Sequence, residues 1–566
     1  MTVTEPGDSM ATSFNLIDEP WIPVLDLDGL EREVSLREAI LGSHRYRDLA
    51  GELPTMRFAL LRVILSVAYR VLDRKRVEEP TEAWGELWKQ PELPVEGFGR
   101  YFDDWWHRFD LFHESEPFLQ APGLRTAKDE WKPVSLIVAD ADPEGALFTM
   151  RSELGSLSPA EAARWLVHAH AYDYSGIKSG AVGDDRVKGG KGYPMGLGWA
   201  GWLGGTALNG RDLRETILLN LIIGRTARNP HDVPIWERTV LTAAKRSSEE
   251  IGEIGPLALM TWPQRRIRLR VEEQRVVEVL VANGDELDYT VRNENEPMSG
   301  WRFSEPQSAK AKSLRYMPKK LDAGQSLWRG LSTLIPTAAS ARPSAAAAKK
   351  WNVLRVAEPA EVLTWLGRLV REKELPPDRV VEVSVVSMQY GTQNASFEEV
   401  VSDRLAFAAA LSELEMGAGL LELAQEASSR AEKAVRALVH LAQDIDRAAG
   451  GNGEDASGSV GADAFAALDM GFRRWLLGVV PACNGGELLV DWTEQVRDSV
   501  SERARVFVAR APDSAWVGRC VREKGKDKRQ VLSVGTAMQR FEWNLFDALG
   551  AAPGQAERNG DQWNER

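Results

Sequence analysis

The sequence predicts an α+β protein: a mixed α/β N-terminal domain over residues 14–400, followed by an antiparallel four-helix bundle over 401–550. Three observations predict it. Before residue 400, short alternating runs interleave with helical ones. After residue 400 the apolar period is almost purely that of an amphipathic helix. And 566 residues are more than one ordinary core organises, so two or three domains are expected.

The elements follow in order. Residues 1–13, MTVTEPGDSMATS, are polar and expected to be disordered. FNLIDEPWIPVLDLDG (14–29) reads as extended chain, because Pro20 and Pro23 forbid a helix, and Asp28-Gly29 signals a hairpin turn. Ser35 is placed to cap SLREAIL. TMRFALLRVILSVAYRVL (55–72) predicts a helix with apolar positions 56, 60, 63, 64, 67 and 71 on one face. Residues 176–210 are too rich in glycine for a regular element and read as a long ordered loop. Residues 265–292 alternate as strands do, with Asn283-Gly284 as their turn. TAASARPSAAAAKK (337–350) reads as an exposed connection.

Beyond 400, apolar residues at 420, 423, 427, 431, 434, 438, 441 and 445 keep the helical period until GGNGEDASGSVG (450–461) breaks it. Helices over about 462–480, 487–510 and 530–549 complete a set of four. REKGKDKR (522–529) is expected as an exposed loop between helices, and residues 551–566 as a disordered tail.

Composition excludes several classes. With 43% hydrophobic and 27% charged residues the chain is globular and soluble. Two cysteines, Cys483 and Cys520, support neither a disulfide framework nor a four-cysteine zinc site. No basic-then-apolar leader opens the chain and no run of about 18 apolar residues occurs, so a cytoplasmic protein without a membrane span is expected. The net charge is −13, from 83 acidic and 70 basic residues. Phosphate neutralisation supplies most of the affinity of free-standing nucleic-acid binders. Any DNA contact here is therefore expected at local basic patches, inside an assembly that supplies further positive charge.

Catalytic motifs are scarce. There is no G-x-x-x-x-G-K-S/T, H-E-x-x-H or G-x-S-x-G. His168 and His170, with Asp173, form the one close histidine pair. On a strand such a pair faces one way, but on a helix it diverges by about 200°. Ser158 and Glu161 form a capping box ahead of it, which favours a helix and packing histidines over a metal hydrolase. No cofactor is expected.

What the sequence does supply is placed donors. Lys178, Arg186, Lys188 and Lys191 lie among glycines, whose bare N–H groups approach phosphates without side-chain clash. KAKSLRYMPKK (310–320) is a second basic run. In SMQYGTQNAS (387–396) an alternating apolar run ends at Tyr390-Gly391, and two carboxamides, Gln393 and Asn394, stand side by side. They cap a turn, or they pry apart a base pair.

FNLIDEPWIPV, ESEPFLQ, the glycine-rich loop followed by GRDLRETILLNLI, SLWRGLSTLI and MQYGTQNAS occur in the order found in the CasA family. CasA proteins are large subunits of the type I-E CRISPR surveillance complex, Cascade, and the resemblance runs from Phe14 to about residue 550. It implies the two-domain fold above and no enzymatic activity. It implies recognition of the protospacer-adjacent motif in double-stranded DNA through the minor groove, opening of the duplex to start an R-loop, contact with the displaced strand, and recruitment of the helicase-nuclease. The partners it implies are the other Cascade proteins, the guide RNA and the target DNA, in a prokaryotic cytoplasm.

Carried over by motif, the strand-separating wedge falls on Gln393 and Asn394, either of which could be its tip, because the family pattern ends in Gln. The minor-groove glycine loop falls on Gly189 and Gly190, flanked by Lys188 and Lys191. The family's lysine finger falls on Arg292, a change of residue type whose planar fork donates differently from an ammonium. GALFTMRSE matches the loop near the motif and the guide 5′ end, with Phe148 as its aromatic. The rival reading from another class is a purely structural bridging subunit.

Overall fold

The computed structural model describes residues 13–73, 77–141, 154–336, 341–415, 417–453, 457–522 and 529–550. The chain divides into two units. The first draws on Met1–Ala323, Ala341–Leu375 and Val381–Arg404, and the second on Gly324–Ser340, Pro376–Val380 and Leu405–Arg566.

In the first unit, β1 (Ile22–Asp26) and β2 (Glu31–Val34) form an antiparallel hairpin closed at Gly29, whose φ of +84° no side chain adopts freely. Ser35 caps α1 (Leu36–Leu41), accepting from the Glu38 N–H at 3.2 Å, and β3 (Tyr46–Leu49) pairs on the other side of β1. The long helix α2 (Pro54–Leu72) forms as the apolar spacing dictates. It is buried on nearly every face from Thr55 to Tyr69, however, because other elements cover the side expected to face solvent. That burial encloses Arg62, which Glu296 meets in a bidentate pair at 2.8 and 2.9 Å while the Trp199 indole donates to the same carboxylate at 2.6 Å. A charge this deep persists only with such pairing.

Helix α3 (Pro159–Tyr172) starts at the predicted Ser158/Glu161 capping box and packs on α2. After it the glycine-rich segment is ordered by two short strands, β4 (Lys178–Ser179) and β5 (Lys191–Gly192), and runs on to β6 (Gly205–Asn209). The expected strand pair exists as β7 (Arg265–Glu272) and β8 (Arg275–Asn283), but its turn is Glu273-Gln274, with φ of 48° and 60°. Asn283-Gly284 instead ends β8, where a Cβ on Gly284 would lie 2.4 Å from the Pro263 carbonyl. The Asn-Gly signal reported a close backbone approach, not a hairpin.

A small sheet joins β9 (Trp301–Phe303) to β10 (Tyr316–Pro318) and β11 (Ala357–Glu358). A further sheet has β12 (Val380–Tyr390) between β6 and β13 (Phe397–Ala408). β12 runs antiparallel to β6, with Glu382 opposite Asn209 and Val386 opposite Gly205.

The second unit is mainly helical. Its long helices are α4 (Ala418–Ala449), α5 (Ser457–Leu476), α6 (Gly485–Ala509) and α7 (Val534–Leu549). α4 packs against each of the other three, along a seam that begins at Leu421 and Ala424, one residue later than the expected 420 and 423. Gly450, at φ +113°, ends α4. Trp328 stacks on Phe472 at 4.4 Å and donates to Asp469, and the Trp492 indole donates to the Ala427 carbonyl at 2.9 Å. The unit also holds a short hairpin, Arg519–Arg522 with Arg529–Leu532, on either side of most of the predicted basic loop.

Candidate nucleic-acid interface

The alternating run Val380–Tyr390 forms β12 and leads straight into the carboxamide pair. Gly391 and Ser396 close the connection to β13, with the Gly391 N–H donating to the Ser396 carbonyl at 3.0 Å. Between them Gln393 (φ 59°, ψ 19°) and Asn394 (φ 57°) are both left-handed. For a residue with a side chain that conformation costs roughly 1–2 kcal/mol. The Asn394 N–H donates to the Gly391 carbonyl at 2.8 Å, and the Asn394 carbonyl accepts from the Ser175 N–H at 2.7 Å. Gln393 is exposed and Asn394 half-buried. Neither carboxamide is hydrogen-bonded among the described residues.

Aromatic packing stiffens the base of this loop. Tyr390 packs on Phe397 at 5.9 Å, Phe397 meets Tyr174 edge-on at 5.2 Å, and the Tyr390 hydroxyl donates to the Tyr172 carbonyl at 2.6 Å. Gly201 lets the chain pass the Tyr390 hydroxyl, where a Cβ would sit 2.3 Å away. Lys320, from the basic run, donates to the Met388 carbonyl at 2.8 Å and lies 4.9 Å from the Tyr390 ring centre. Burial pushes its pKa down to about 8. Sequence reasoning noted the basic run but not this brace; nothing in the spacing of 310–320 points to residue 388.

The glycine segment holds a second exposed turn. Lys188 and Lys191 exchange both backbone hydrogen bonds, at 3.1 and 3.2 Å, around Gly189 (φ 58°) and Gly190 (φ 73°). Two central residues with positive φ are the pattern of the tight type I′ hairpin, and glycine adopts it without strain. All four residues are exposed, and neither lysine makes an ion pair among the described residues. Lys178 and Arg186, also candidates, are spent within the fold. Arg186 binds Asp184 at 2.7 Å and donates to the Gly284 carbonyl, whereas Lys178 is buried on Asp173 at 2.8 Å.

Arg292 follows a turn in which Tyr289 stacks on Trp202 at 3.9 Å. Its side chain is half-buried, its Nε lacks a hydrogen-bond partner among the described residues, and burial lowers its pKa. No hydrogen bond or ion pair among the described residues links it to either turn. Phe148 lies outside the described residues.

The histidine pair splits as a helix requires. His168 Nε2 meets the Thr55 hydroxyl at 2.9 Å, and His170 Nε2 the Leu119 carbonyl at 2.8 Å. Burial lowers their pKa values to about 3 and about 4. Burial alone would raise Asp173, but Lys178 and Arg265 outweigh it and hold the carboxyl below its ordinary value. The three are committed to different partners, which removes the geometry a metal hydrolase needs. Among the described residues no group of three His, Cys, Asp or Glu side chains is placed to hold a metal, and no helix is long and apolar enough to cross a membrane.

The family model described as CRISPR-associated protein Cse1 matches residues 15–502. The chain belongs to the Cse1 family. A curated Cse1 relative, CRISPR-associated protein CasA/Cse1 of Thermus thermophilus, is 28% identical over 330 residues, 57% of this chain. The match spans 60% of that relative's length. The crystal structure of Thermobifida fusca Cse1 is 38% identical with a TM-score of 0.85, covering 95% of this chain and 98% of that one. A chain in the solved structure of a CRISPR RNA-guided surveillance complex shares the Cse1 fold at a TM-score of 0.61 and 16% identity, over 88% of this chain and 98% of that one. The CasA resemblance carried by the motifs is thus to the same family that the model over residues 15–502 and the curated relative belong to.

Proposed function

We propose that this protein is a non-catalytic large subunit of an RNA-guided CRISPR surveillance complex. It reads the protospacer-adjacent motif of duplex DNA from the minor groove and wedges the duplex open to start an R-loop. Family membership and the fold shared with a chain of such a complex support the assembly role. The observation that carries the DNA role is the turn at 393–394: an exposed Gln393 carboxamide, unbonded among the described residues and held in left-handed backbone at the end of a strand.

Minor-groove readout separates mainly A·T from G·C. The Lys188–Gly189–Gly190–Lys191 hairpin, two ammonium groups around bare backbone, suits such relaxed recognition, and Arg292 supplies a further cation whose Nε has no hydrogen-bond partner among the described residues. Opening the first base pair costs a few kcal/mol, which a carboxamide stacked into the gap offsets in part before the guide RNA pairs. The acidic chain then draws on basic neighbours for the rest of its affinity. The second unit, as an antiparallel four-helix bundle, would contact neighbouring subunits, and recruitment of the helicase-nuclease in the prokaryotic cytoplasm completes the reading.

Its greater exposure favours Gln393 over Asn394 as the blade. In the reconstituted complex, Gln393→Ala is expected to slow R-loop formation on linear duplex at least tenfold with assembly unchanged, and negative supercoiling to relieve the defect. Asn394→Ala is expected to slow it less. Equal rates for Gln393→Ala and wild type would remove the wedge assignment.

A further inference from the structure

The two turns are far apart in sequence, yet one short segment bonds both the Gln393-Asn394 turn and the chain that leaves the glycine hairpin. We infer that Ser175 is a positioning residue that locks the Gln393 turn to the glycine segment, so that duplex opening occurs at a fixed place relative to the groove-contacting hairpin. This inference rests on the wedge reading above.

Ser175 is 9% exposed and makes two bonds in opposite directions. Its N–H donates to the Asn394 carbonyl at 2.7 Å, and its Oγ accepts from the Gly196 N–H at 3.0 Å. The first bond holds the residue beside the blade. The second holds the outgoing end of the segment that carries the Gly189-Gly190 turn.

The residues around Ser175 are fixed by a buried arginine. Arg265, 1% exposed, pairs with the Asp173 carboxylate and donates to the Tyr174 carbonyl at 2.8 Å and to the Gly196 carbonyl at 2.9 Å. One guanidinium thus gathers the segment that carries Ser175 and the Gly196 end that its hydroxyl bonds. Asp173 also pairs with Lys178, the first residue of the glycine hairpin's strand β4, at 2.8 Å. The incoming and outgoing ends of that hairpin are therefore tied to the anchor that holds the wedge.

Such a link matters because a wedge works by position. A tip displaced by about 1 Å relative to the groove contacts is a large loss for a preorganised site. Removing the Ser175 hydroxyl deletes one oxygen and cuts the bond to Gly196, while the backbone bond to Asn394 stays.

The test uses the reconstituted complex with a fluorescent base analogue in the first base pair beyond the motif. Ser175→Ala is expected to slow opening of a fully paired target about fivefold, the scale of one buried hydrogen bond. Assembly and motif affinity are expected to stay at the wild-type level, and a target with that pair pre-opened to restore the rate. A wild-type rate on the paired target overturns the inference, and so does equal slowing on the pre-opened one. Gln393→Ala run alongside separates the two claims. If it is slow while Ser175→Ala is fast, the wedge stands and the positioning role falls; if it too is fast, both fall.

Discussion

Gly189-Gly190 and Gln393-Asn394 are turns of two left-handed residues each, built from opposite chemistry. The glycine turn reaches positive φ without strain and presents backbone N–H groups between two lysines. The carboxamide turn carries roughly 1–2 kcal/mol per residue of backbone cost yet keeps both side chains. Glu273-Gln274, the β7–β8 turn, has the same sign of φ and a polar composition, so left-handed backbone alone does not mark a site. What sets residues 393–394 apart is the surrounding brace: Ser175, Tyr390, Phe397 and Lys320 hold the loop while the Gln393 amide stays unbonded among the described residues. One turn works by having no side chain and the other by retaining one.

The largest expected effect is on the anchor beneath both turns. His168 and His170 lie on the helix that ends at this anchor, and their folded pKa values, about 3 and about 4, sit below the unfolded value near 6.5. The unfolded chain takes up these protons first, so their full contribution is present above pH 6.5 and is lost as pH falls toward 4 for His170 and 3 for His168. Each contributes up to about 1.4 kcal/mol per pH unit in that window, so stability is expected to drop by roughly 4 kcal/mol between pH 7 and 5. Denaturant titrations at the two pH values measure it, and His170→Gln is expected to halve the slope. A flat profile would mean that the anchor does not bury its histidines.

A smaller effect is expected at the glycine turn. Gly189→Val with Gly190→Val forces β-branched residues into positive φ, costing about 2 kcal/mol locally. Duplex affinity in the complex should fall severalfold, while opening of DNA already bound stays normal. If affinity is unchanged, the hairpin is only a surface loop.

The smallest effect on stability is the most discriminating. Gln393→Gly relieves backbone strain and adds unfolded-chain entropy, so melting temperature is expected to stay within about 2 °C of wild type. R-loop formation should nevertheless fall as far as in Gln393→Ala. A stability loss well beyond that range would mean that the glutamine is retained for the fold and not for DNA.

Local pattern fixed much of the fold in advance. The apolar period of 55–72, the Ser35 cap, the Ser158/Glu161 capping box, the turn at Gly29 and the glycines at 189–190 express short-range sterics and periodicity, which neighbouring residues alone determine. Of the candidate site, the residues were legible but not their states. That His168, His170 and Asp173 are committed inside, that Lys178 serves the fold while Lys188 faces solvent, and that Gln393 is exposed while Asn394 is tied back all depend on distant partners. Thr55 lies 113 residues from His168, and Arg265 lies 92 from Asp173. A side chain's protonation and freedom follow from what is packed around it, and only the tertiary structure brings those groups together.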